Sequence, residues 1–507
     1  MPIVILAICC NAIGQSNERL TNIPTLYIDT ENDVEIDSKD DYVAATLTCI
    51  SLDDSQNLSA DIKIRGRGNS TWSMPKKPYR IKFSSKLHFL NLPAKQDTWV
   101  LLANYADKTL MRNGVATELS TRIGFDFTPS TQFVDVVLNG DSIGTYIVTD
   151  QMEVKSDRID VDKLDNAMTT LPDITGGFFL EADGFADGDV KTKTAHGMNI
   201  VLKYPDEDDV NESQKQYIFS YVQKFEDALF SSNFKDEKNG YRKYIDIPSF
   251  VNWYLSSEIT GNPDCFWSTY FYKRRNDPLL RFGPLWDFDI AFNNDSRLGD
   301  ATNKLMANAA HEPRQWIIQF LKDPWLREQI SKRWVELKNE NIQQALLDYV
   351  DATRVDIDQS QKINFHRWNV LSNIVYLELA ARGTYQAEVD FLRSYIVKRF
   401  AFLDTQFLPE EITTGVNERI TARAQIFPNP VNAKSVVTFE LMKPSPVQII
   451  VYDAAGNILN SKTTNANEGV NTVSLADHVA GLSNGIYVLK LTTAQTSTIT
   501  KKIIVLR

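Results

Sequence analysis

Two carboxylate-bearing segments flank a hairpin in the middle of this 507-residue chain, and this arrangement limits how the chain can fold. Strand-like stretches at 268–273 and 279–285 are joined by turn-forming residues at 275–278. Because a hairpin brings its two ends together, Asp264 before it and Asp287 after it are predicted to lie close to each other. Both have apolar neighbours, where a carboxylate needs a metal, a donor or a proton. Such a pair indicates phosphoryl transfer.

The hairpin alone leaves a structural interpretation open. An aspartate after a proline is often only a turn former, and the Trp286-Asp287-Phe288-Asp289 segment could be a hydrogen-bonded pair at a strand end. A second set of residues, far upstream, favours the chemical interpretation over this one.

The upstream segment at 61–70 reads as a strand that runs into a loop containing Gly66 and Gly68. Glycines let backbone N–H groups approach an anion closely, although the loop has neither the Walker spacing nor a dinucleotide fingerprint. In the next strand, Arg80 and Lys82 alternate with apolar residues and therefore share one face. If that face lies in a cleft, it offers two cations for phosphates; if it faces water, it is an ordinary basic strand.

Several motifs, taken in order, resemble those of the spore-coat protein H (CotH) kinase family over roughly residues 20–405. The resemblance rests on Asp264 and on RGRGNSTW at 65–72, KPYRIKF at 77–83, LLANYADKTLMRN at 101–113, GTYIVTD at 144–150 and WDFD at 286–289. It implies an atypical protein-kinase-like domain in which ATP and Mg²⁺, or Mn²⁺ in its place, lie in a cleft. The γ-phosphoryl group would pass to a Ser or Thr hydroxyl of a protein partner.

The resemblance also implies roles for individual residues. Asp264 is the expected catalytic residue, and Asp287 and Asp289 are the expected metal site. The implied cofactor-binding residues are Gly66, Arg67, Gly68, Ser70, Arg80, Lys82, Asp150 and Glu153. Arg80 and Lys82 are alternatives for one strand cation, and Asp150 stands where the family commonly has a glutamate.

A predicted helix over 107–124 offers Arg112 and Glu118 as further candidates for the cleft, Glu118 as the partner of a strand cation. More often, a glutamate on a helix is simply exposed to solvent. The sequence has neither the His-Arg-Asp motif nor the Asp-Phe-Gly motif of ordinary kinases, so no activation-loop switch is inferred.

Composition excludes several classes of function. The formal net charge is −11, and no basic stripe with interleaved aromatic residues is present, which argues against a nucleic-acid partner. The five histidines are dispersed without zinc-ligand spacing. No stretch beyond the N-terminus approaches the length of a transmembrane span.

The apolar run at residues 1–14 resembles a signal peptide, although basic leading residues are missing. A lipoprotein cleavage at Cys9 is a weaker alternative because the bulky Ile8 precedes it. We therefore expect an exported protein, secreted or held at the outer-membrane cell surface.

Strand-like segments dominate up to about residue 204 and helical patterns follow up to about residue 402, beginning with a helix that Ser213 can cap. This order predicts an α+β catalytic domain over 20–405 with its site where the two halves meet. A polar linker is predicted at 406–424, followed by a small all-β sandwich over 425–507.

The terminal domain resembles the C-terminal sorting domain of the type IX secretion system. The motifs that carry the resemblance are FPNP at 427–430, VYDAAG at 451–456, GIYV at 485–488 and KKIIV at 501–505. The resemblance implies the type IX secretion machinery as a partner. A generic carbohydrate-binding or spacer sandwich is the alternative.

Two other functions compete with a kinase. One is a non-catalytic surface adhesin or structural binding module on the same fold, since a fold does not guarantee activity. The other is a polysaccharide-binding or hydrolytic protein, although no pair of carboxylates can be assigned to glycoside cleavage from spacing alone.

Overall fold

A computed structural model of the chain describes residues 18–409, 424–441, 444–453, 456–493 and 498–506. The chain divides into two compact units at the boundary between Phe407 and Leu408. The predicted signal peptide at 1–14 and most of the predicted linker at 406–424 lie outside the described residues.

A closed β-barrel forms the N-terminal part of the first unit. Its strands are β1 (Thr25–Thr30), β2 (Val43–Ile50), β3 (Leu58–Gly66), β4 (Tyr79–His88), β5 (Lys95–Leu102), β6 (Gln132–Leu138) and β7 (Asp141–Asp150). The strand order is β1-β2-β3-β4-β5-β7-β6. Parallel pairing of β1 with β6 closes the barrel, and the other neighbouring strands are antiparallel.

The period-two pattern of the sequence explains the barrel core. On β4, Tyr79, Ile81 and Phe83 are buried inside the barrel, whereas Arg80 and Lys82 lie on its outer face. Alternation of this kind places every second side chain in the core, where each large apolar side chain contributes about 1.5–3 kcal/mol relative to exposure.

A second, antiparallel sheet follows the barrel in the chain. Its strands are β8 (Phe178–Asp183), β9 (Lys191–Lys193), β10 (Asn199–Tyr204), β11 (Ser268–Lys273) and β12 (Leu280–Phe282). The order is β12-β11-β8-β10-β9. The predicted hairpin is present as β11 and β12, but β12 is shorter than predicted because Gly283, with φ 116°, turns the chain out of the sheet.

Helices fill the rest of the first unit. They are α1 (Arg112–Ile123), α2 (Glu212–Phe230), α3 (Ile247–Thr260), α4 (Met306–Ala309), α5 (Gln315–Phe320), α6 (Pro324–Asn339), α7 (Ile342–Asp356), α8 (Asp358–Arg367) and α9 (Tyr385–Phe407). The predicted order of strands first and helices later is confirmed. No helix in the described part of the chain has the length and apolar character that crossing a membrane requires.

Two predicted helix starts are wrong by a few residues. The helix expected from 107 begins only at Arg112, because the buried Asp107 carboxylate accepts the Thr109 and Arg112 backbone N–H groups and caps the helix from outside. The helix expected to be capped by Ser213 is instead capped by Asn211, which forms a capping box with Gln214.

The second unit consists of two antiparallel sheets around one apolar core. Its elements are β13 (Gln425–Phe427), β14 (Val436–Leu441), β15 (Ser445–Tyr452), β16 (Ile458–Ala466), β17 (Gly469–Ser474), α10 (Ala476–Val479), β18 (Gly485–Thr493) and β19 (Thr498–Val505). The sheets have the orders β13-β14-β17 and β16-β15-β18-β19. Strand β16 was not predicted, because most of its residues are polar and exposed.

Candidate active site

The first unit contains a cleft of about 350 Å³. Residues from the N-terminal half and from the C-terminal half of the unit line this cleft. The loop after β3 and the start of α1 come from the N-terminal half. The ends of β8 and β11, the loop after α3 and the segment after β12 come from the other half. The charged and polar lining residues include Arg67, Gly68, Asn69, Ser70, Asn104, Asn113, Glu181, Asp183, Lys203, Asp264, Tyr270, Asp287, Asp289 and Arg297.

Asp264 is delivered to the cleft by a helix ending in a tight turn. Helix α3 stops at Gly261, which has φ 58° and ψ 40°, and its N–H donates to the Ser257 carbonyl. The side chain of Asn262 then accepts the Asp264 N–H at 3.0 Å, and the Trp267 N–H donates to the Asp264 carbonyl at 2.8 Å. The backbone of the turn is therefore held without any use of the Asp264 carboxylate.

The two oxygens of the Asp264 carboxylate differ in their surroundings. Oδ2 accepts a hydrogen bond from the Arg297 guanidinium at 2.7 Å, and Arg297 also pairs with Asp295 at 2.5 Å. Oδ1 is shielded from solvent and has no hydrogen-bond partner among the described residues. The Nε2 atom of His311 lies 3.9 Å from Oδ1.

Asp287 lies on a segment that is fastened at several points. Its backbone has φ 69°, a left-handed conformation that is uncommon for residues other than glycine. The next residue, Phe288, donates its N–H to the side chain of Asn113 on α1 at 2.8 Å. Further along, the Phe292 N–H donates to the Thr260 carbonyl at 2.6 Å. These bonds join the Asp287 segment to α1 and to α3, the helix that leads to Asp264.

Little positive charge compensates the carboxylates of Asp287 and Asp289. The Asp287 side chain is open to the cleft, but protein surrounds it so closely that it is poorly solvated. This desolvation raises the pKa of Asp287, Arg67 opposes the rise, and Asp264 adds to it. Burial, followed by the charges of Asp287 and Asp107, raises the pKa of Asp289 to about 8.

These two carboxylates fit a hard divalent cation chemically. Within the described residues, no group of three or more His, Cys, Asp or Glu side chains is assembled closely enough to hold a metal alone. Mg²⁺ commonly binds one or two carboxylates and takes its remaining ligands from phosphate oxygens and water. Asp287 and Asp289 supply such a pair, and a dication beside them would favour the ionised carboxylates that burial and neighbouring negative charges disfavour.

Arg67 faces Asp287 from the loop after β3. Its guanidinium lies 5.6 Å from the centre of the Trp286 ring, and the pKa of Arg67 is lowered by burial while the Asp287 charge opposes that effect. Two N–H groups of this loop are already used, since Gly66 donates to the Ser38 carbonyl and Arg67 to the Pro78 carbonyl. Arg67, Gly68, Asn69 and Ser70 line the cleft, whereas Gly66 does not, so all of the predicted phosphate loop except its first glycine reaches the cleft.

Several residues predicted to bind the cofactor lie elsewhere. Lys82 is exposed on the outer face of the barrel, and neither it nor the half-buried Arg80 lines the cleft. Asp150 and Glu153 both pair with the buried Arg158, at 2.8 Å and 2.5 Å, and neither lines the cleft. The structure therefore assigns these four residues to the barrel surface and to a buried ion pair.

The two helical candidates are also paired away from the cleft. Arg112 is fully buried and forms an ion pair with Asp107. Glu118 pairs with Arg122 one turn along α1, at 2.7 Å. Neither residue lines the cleft, and the expected contact between Glu118 and a strand cation is absent from the described structure.

A further carboxylate in the cleft, that of Glu181, was not predicted from the sequence. Glu181 on β8 is buried next to Lys203 of β10, with 3.3 Å between their charged atoms, and is paired in register with Tyr270 of β11. Burial raises the pKa of Glu181 to about 7, and Lys203 opposes the rise. A glutamate within the mostly apolar Phe178–Asp183 strand, which also ends in an aspartate, was the available signal.

Comparison with protein families supports the same division of the chain. The CotH kinase protein family model matches residues 64–403, and a secretion system C-terminal sorting domain matches residues 425–506. The chain belongs to the CotH kinase family. Comparison with curated proteins finds no significant match. The sorting domain indicates export to the cell surface or secretion and an interaction with the type IX secretion machinery.

Proposed function

We propose that this CotH-family protein is a secreted or surface-exposed protein kinase that transfers the γ-phosphoryl group of ATP to Ser or Thr residues of extracytoplasmic proteins. The observation that carries the proposal is the placement of Arg67, Asp264, Asp287 and Asp289 in one cleft. In phosphoryl transfer, cationic and metal-binding groups hold the phosphates while a separate carboxylate faces the attacking hydroxyl.

Asp264 has the role of proton acceptor in this proposal. Its carboxylate lines the cleft and is 24% exposed, so it can accept a hydrogen bond from a substrate hydroxyl. Its Oδ2 is held by Arg297, which fixes its orientation. Asp264 thus orients the attacking oxygen and receives its proton as the new bond to phosphorus forms.

Arg67 and the two other aspartates have a different role. Asp287 and Asp289 would hold Mg²⁺, and Arg67 together with the backbone of Gly68 to Ser70 would contact phosphate oxygens. When bound, Mg²⁺–ATP supplies the phosphoryl group and the charge neutralisation that its transfer requires. The protein residues orient the two reactants and exclude water between them.

The test is a transfer assay with the purified protein, labelled ATP, Mg²⁺ or Mn²⁺ and Ser/Thr-rich extracellular proteins. We expect metal-dependent incorporation of phosphate into Ser or Thr, or autophosphorylation. Absence of transfer together with absence of nucleotide binding would contradict the proposal. Binding of a protein partner that is unchanged by Asp287→Asn, without any transfer, would instead identify a non-catalytic binding module.

A further inference from the structure

His311 is fastened to the Asp264 turn by backbone contacts on both sides of the histidine. The His311 N–H donates to the Pro263 carbonyl at 2.9 Å. The Trp267 indole donates to the carbonyl of Glu312, the next residue, at 2.6 Å. The position of the imidazole relative to Asp264 is therefore set by the segments preceding and following the aspartate.

Two polar atoms that lack hydrogen-bond partners face each other where the His311 segment meets the Asp264 turn. Asp264 Oδ1 and His311 Nε2 are both shielded from solvent, and neither has a hydrogen-bond partner among the described residues. Buried polar atoms without partners are rare in native proteins. The 3.9 Å between them is too long for a hydrogen bond, but contacts between catalytic groups often tighten only when substrate is bound.

The other charges around the imidazole are already paired. Arg297, on the far oxygen of Asp264, also pairs with Asp295. On the segment of His311 itself, Glu312 pairs with Arg314 at 2.7 Å. Asp264 is thus the charged group that the described structure leaves available to the imidazole.

We propose that His311 is a positioning residue that takes the proton from Asp264 during phosphoryl transfer; this inference rests on the proposed function. A lone pair of the acceptor oxygen forms the new O–P bond, and the P–O bond to the leaving diphosphate breaks with its electron pair. The hydroxyl proton passes to the Asp264 carboxylate, and from that carboxylate to His311 Nε2. Asp264 becomes a carboxylate again, and the imidazolium, which is 27% exposed, releases the proton to solvent.

The kinetic test compares His311→Gln, His311→Leu and the control His366→Gln, which removes an exposed histidine on α8. We expect His311→Leu to lower kcat roughly tenfold with an unchanged KM for ATP. The amide of His311→Gln keeps a polar atom near the position of Nε2, so this variant should recover part of kcat. It should also move the low-pH limb of the kcat profile to lower pH, because only the carboxylate then has to be unprotonated.

A purely structural role predicts a different result: a lower melting temperature, raised KM values and an unchanged pH profile in both His311 variants. That result would overturn the inference, as would kcat values equal to that of His366→Gln. Absence of transfer by the wild-type protein would overturn the proposed function and this role with it.

A second measurement does not depend on activity. The pH titration of the His311 ring signals is followed by NMR in the wild-type protein and in Asp264→Asn. We expect the titration to move to lower pH in the variant, because an adjacent negative charge favours the imidazolium. An unchanged titration would overturn the pairing of His311 with Asp264, whatever the transfer assay shows.

Discussion

Asp264 and Asp287 line the same cleft but lie in different electrostatic surroundings. Asp264 is held by Arg297 at 2.7 Å and has His311 within 3.9 Å. Burial and the charge of Asp264 raise the pKa of Asp287, burial and the charge of Asp287 raise the pKa of Asp289, and Arg67 opposes the effect at Asp287. Asp264 is thus a compensated carboxylate, whereas Asp287 and Asp289 form a site with an excess of negative charge.

This difference suits two separate tasks. A carboxylate that an arginine holds in a fixed orientation is suited to receive a proton from a substrate hydroxyl. A pair of desolvated carboxylates without sufficient counter-charge is suited to bind a cation. This division of roles can be tested by changing Asp264 and its partners separately from Asp287.

The largest expected effect is that of Asp264→Asn. The amide keeps the shape but cannot accept the proton, so turnover should fall roughly 10²-fold or more while ATP affinity is retained. The Asp264 turn is held by backbone and Asn262 contacts, so the fold should survive. Steady-state kinetics at saturating ATP, with a melting curve as control, measure this. Wild-type turnover in the variant would show that Asp264 is only a turn residue.

A smaller effect is expected for Arg297→Gln, which removes the cation from Asp264 Oδ2. Because the carboxylate loses its fixed orientation, kcat should fall about tenfold with little change in nucleotide affinity. The control is Arg274→Gln, which breaks the more exposed ion pair with Asp126 on the surface. A rise in kcat would mean that Arg297 blocks Asp264, and an equal loss in the control would remove the link to the cleft.

The smallest effect concerns Glu181, a carboxylate that Lys203 compensates only in part. Its folded-state pKa, about 7, lies above the unfolded value, so its contribution to stability is complete below about pH 4 and is lost as pH rises through about 7. In Glu181→Gln this loss, on the order of 2 kcal/mol, should be absent.

Urea unfolding of the wild-type protein and of Glu181→Gln at pH 5 and pH 8 measures the predicted slope. The exposed Glu328, which pairs with Lys332 on α6, provides the control variant Glu328→Gln. If the stability difference between wild type and Glu181→Gln is the same at both pH values, the burial of Glu181 has no energetic consequence in this range.

The sequence was most informative where local rules determine the structure. The hairpin between Asp264 and Asp287 follows from strand propensity and turn residues, and both aspartates line the cleft as expected. Alternation on β4 correctly places Arg80 and Lys82 on one face of the strand. It does not determine whether that face borders the cleft or water, because that depends on the closure of the barrel.

Residues brought together by pairing between distant segments were not predicted. Glu181 and Lys203 meet because β8 and β10 are neighbours in the second sheet. Arg297 and His311 lie in a part of the chain with little regular structure, where no periodic pattern indicates the direction of a side chain. Asp150 and Glu153 were placed in the cleft by resemblance, but the buried Arg158 binds both.

Binding of ATP to Asp287→Asn and to Asp264→Asn, measured by calorimetry with and without Mg²⁺, tests the division of roles most directly. An amide at 287 loses the charge that a hard dication needs, so the Mg²⁺-dependent part of the affinity should fall about tenfold or more. Asp264→Asn should bind Mg²⁺–ATP as the wild-type protein does. Unchanged binding by Asp287→Asn, or an equal loss in both variants, would contradict the roles assigned to Asp264 and Asp287.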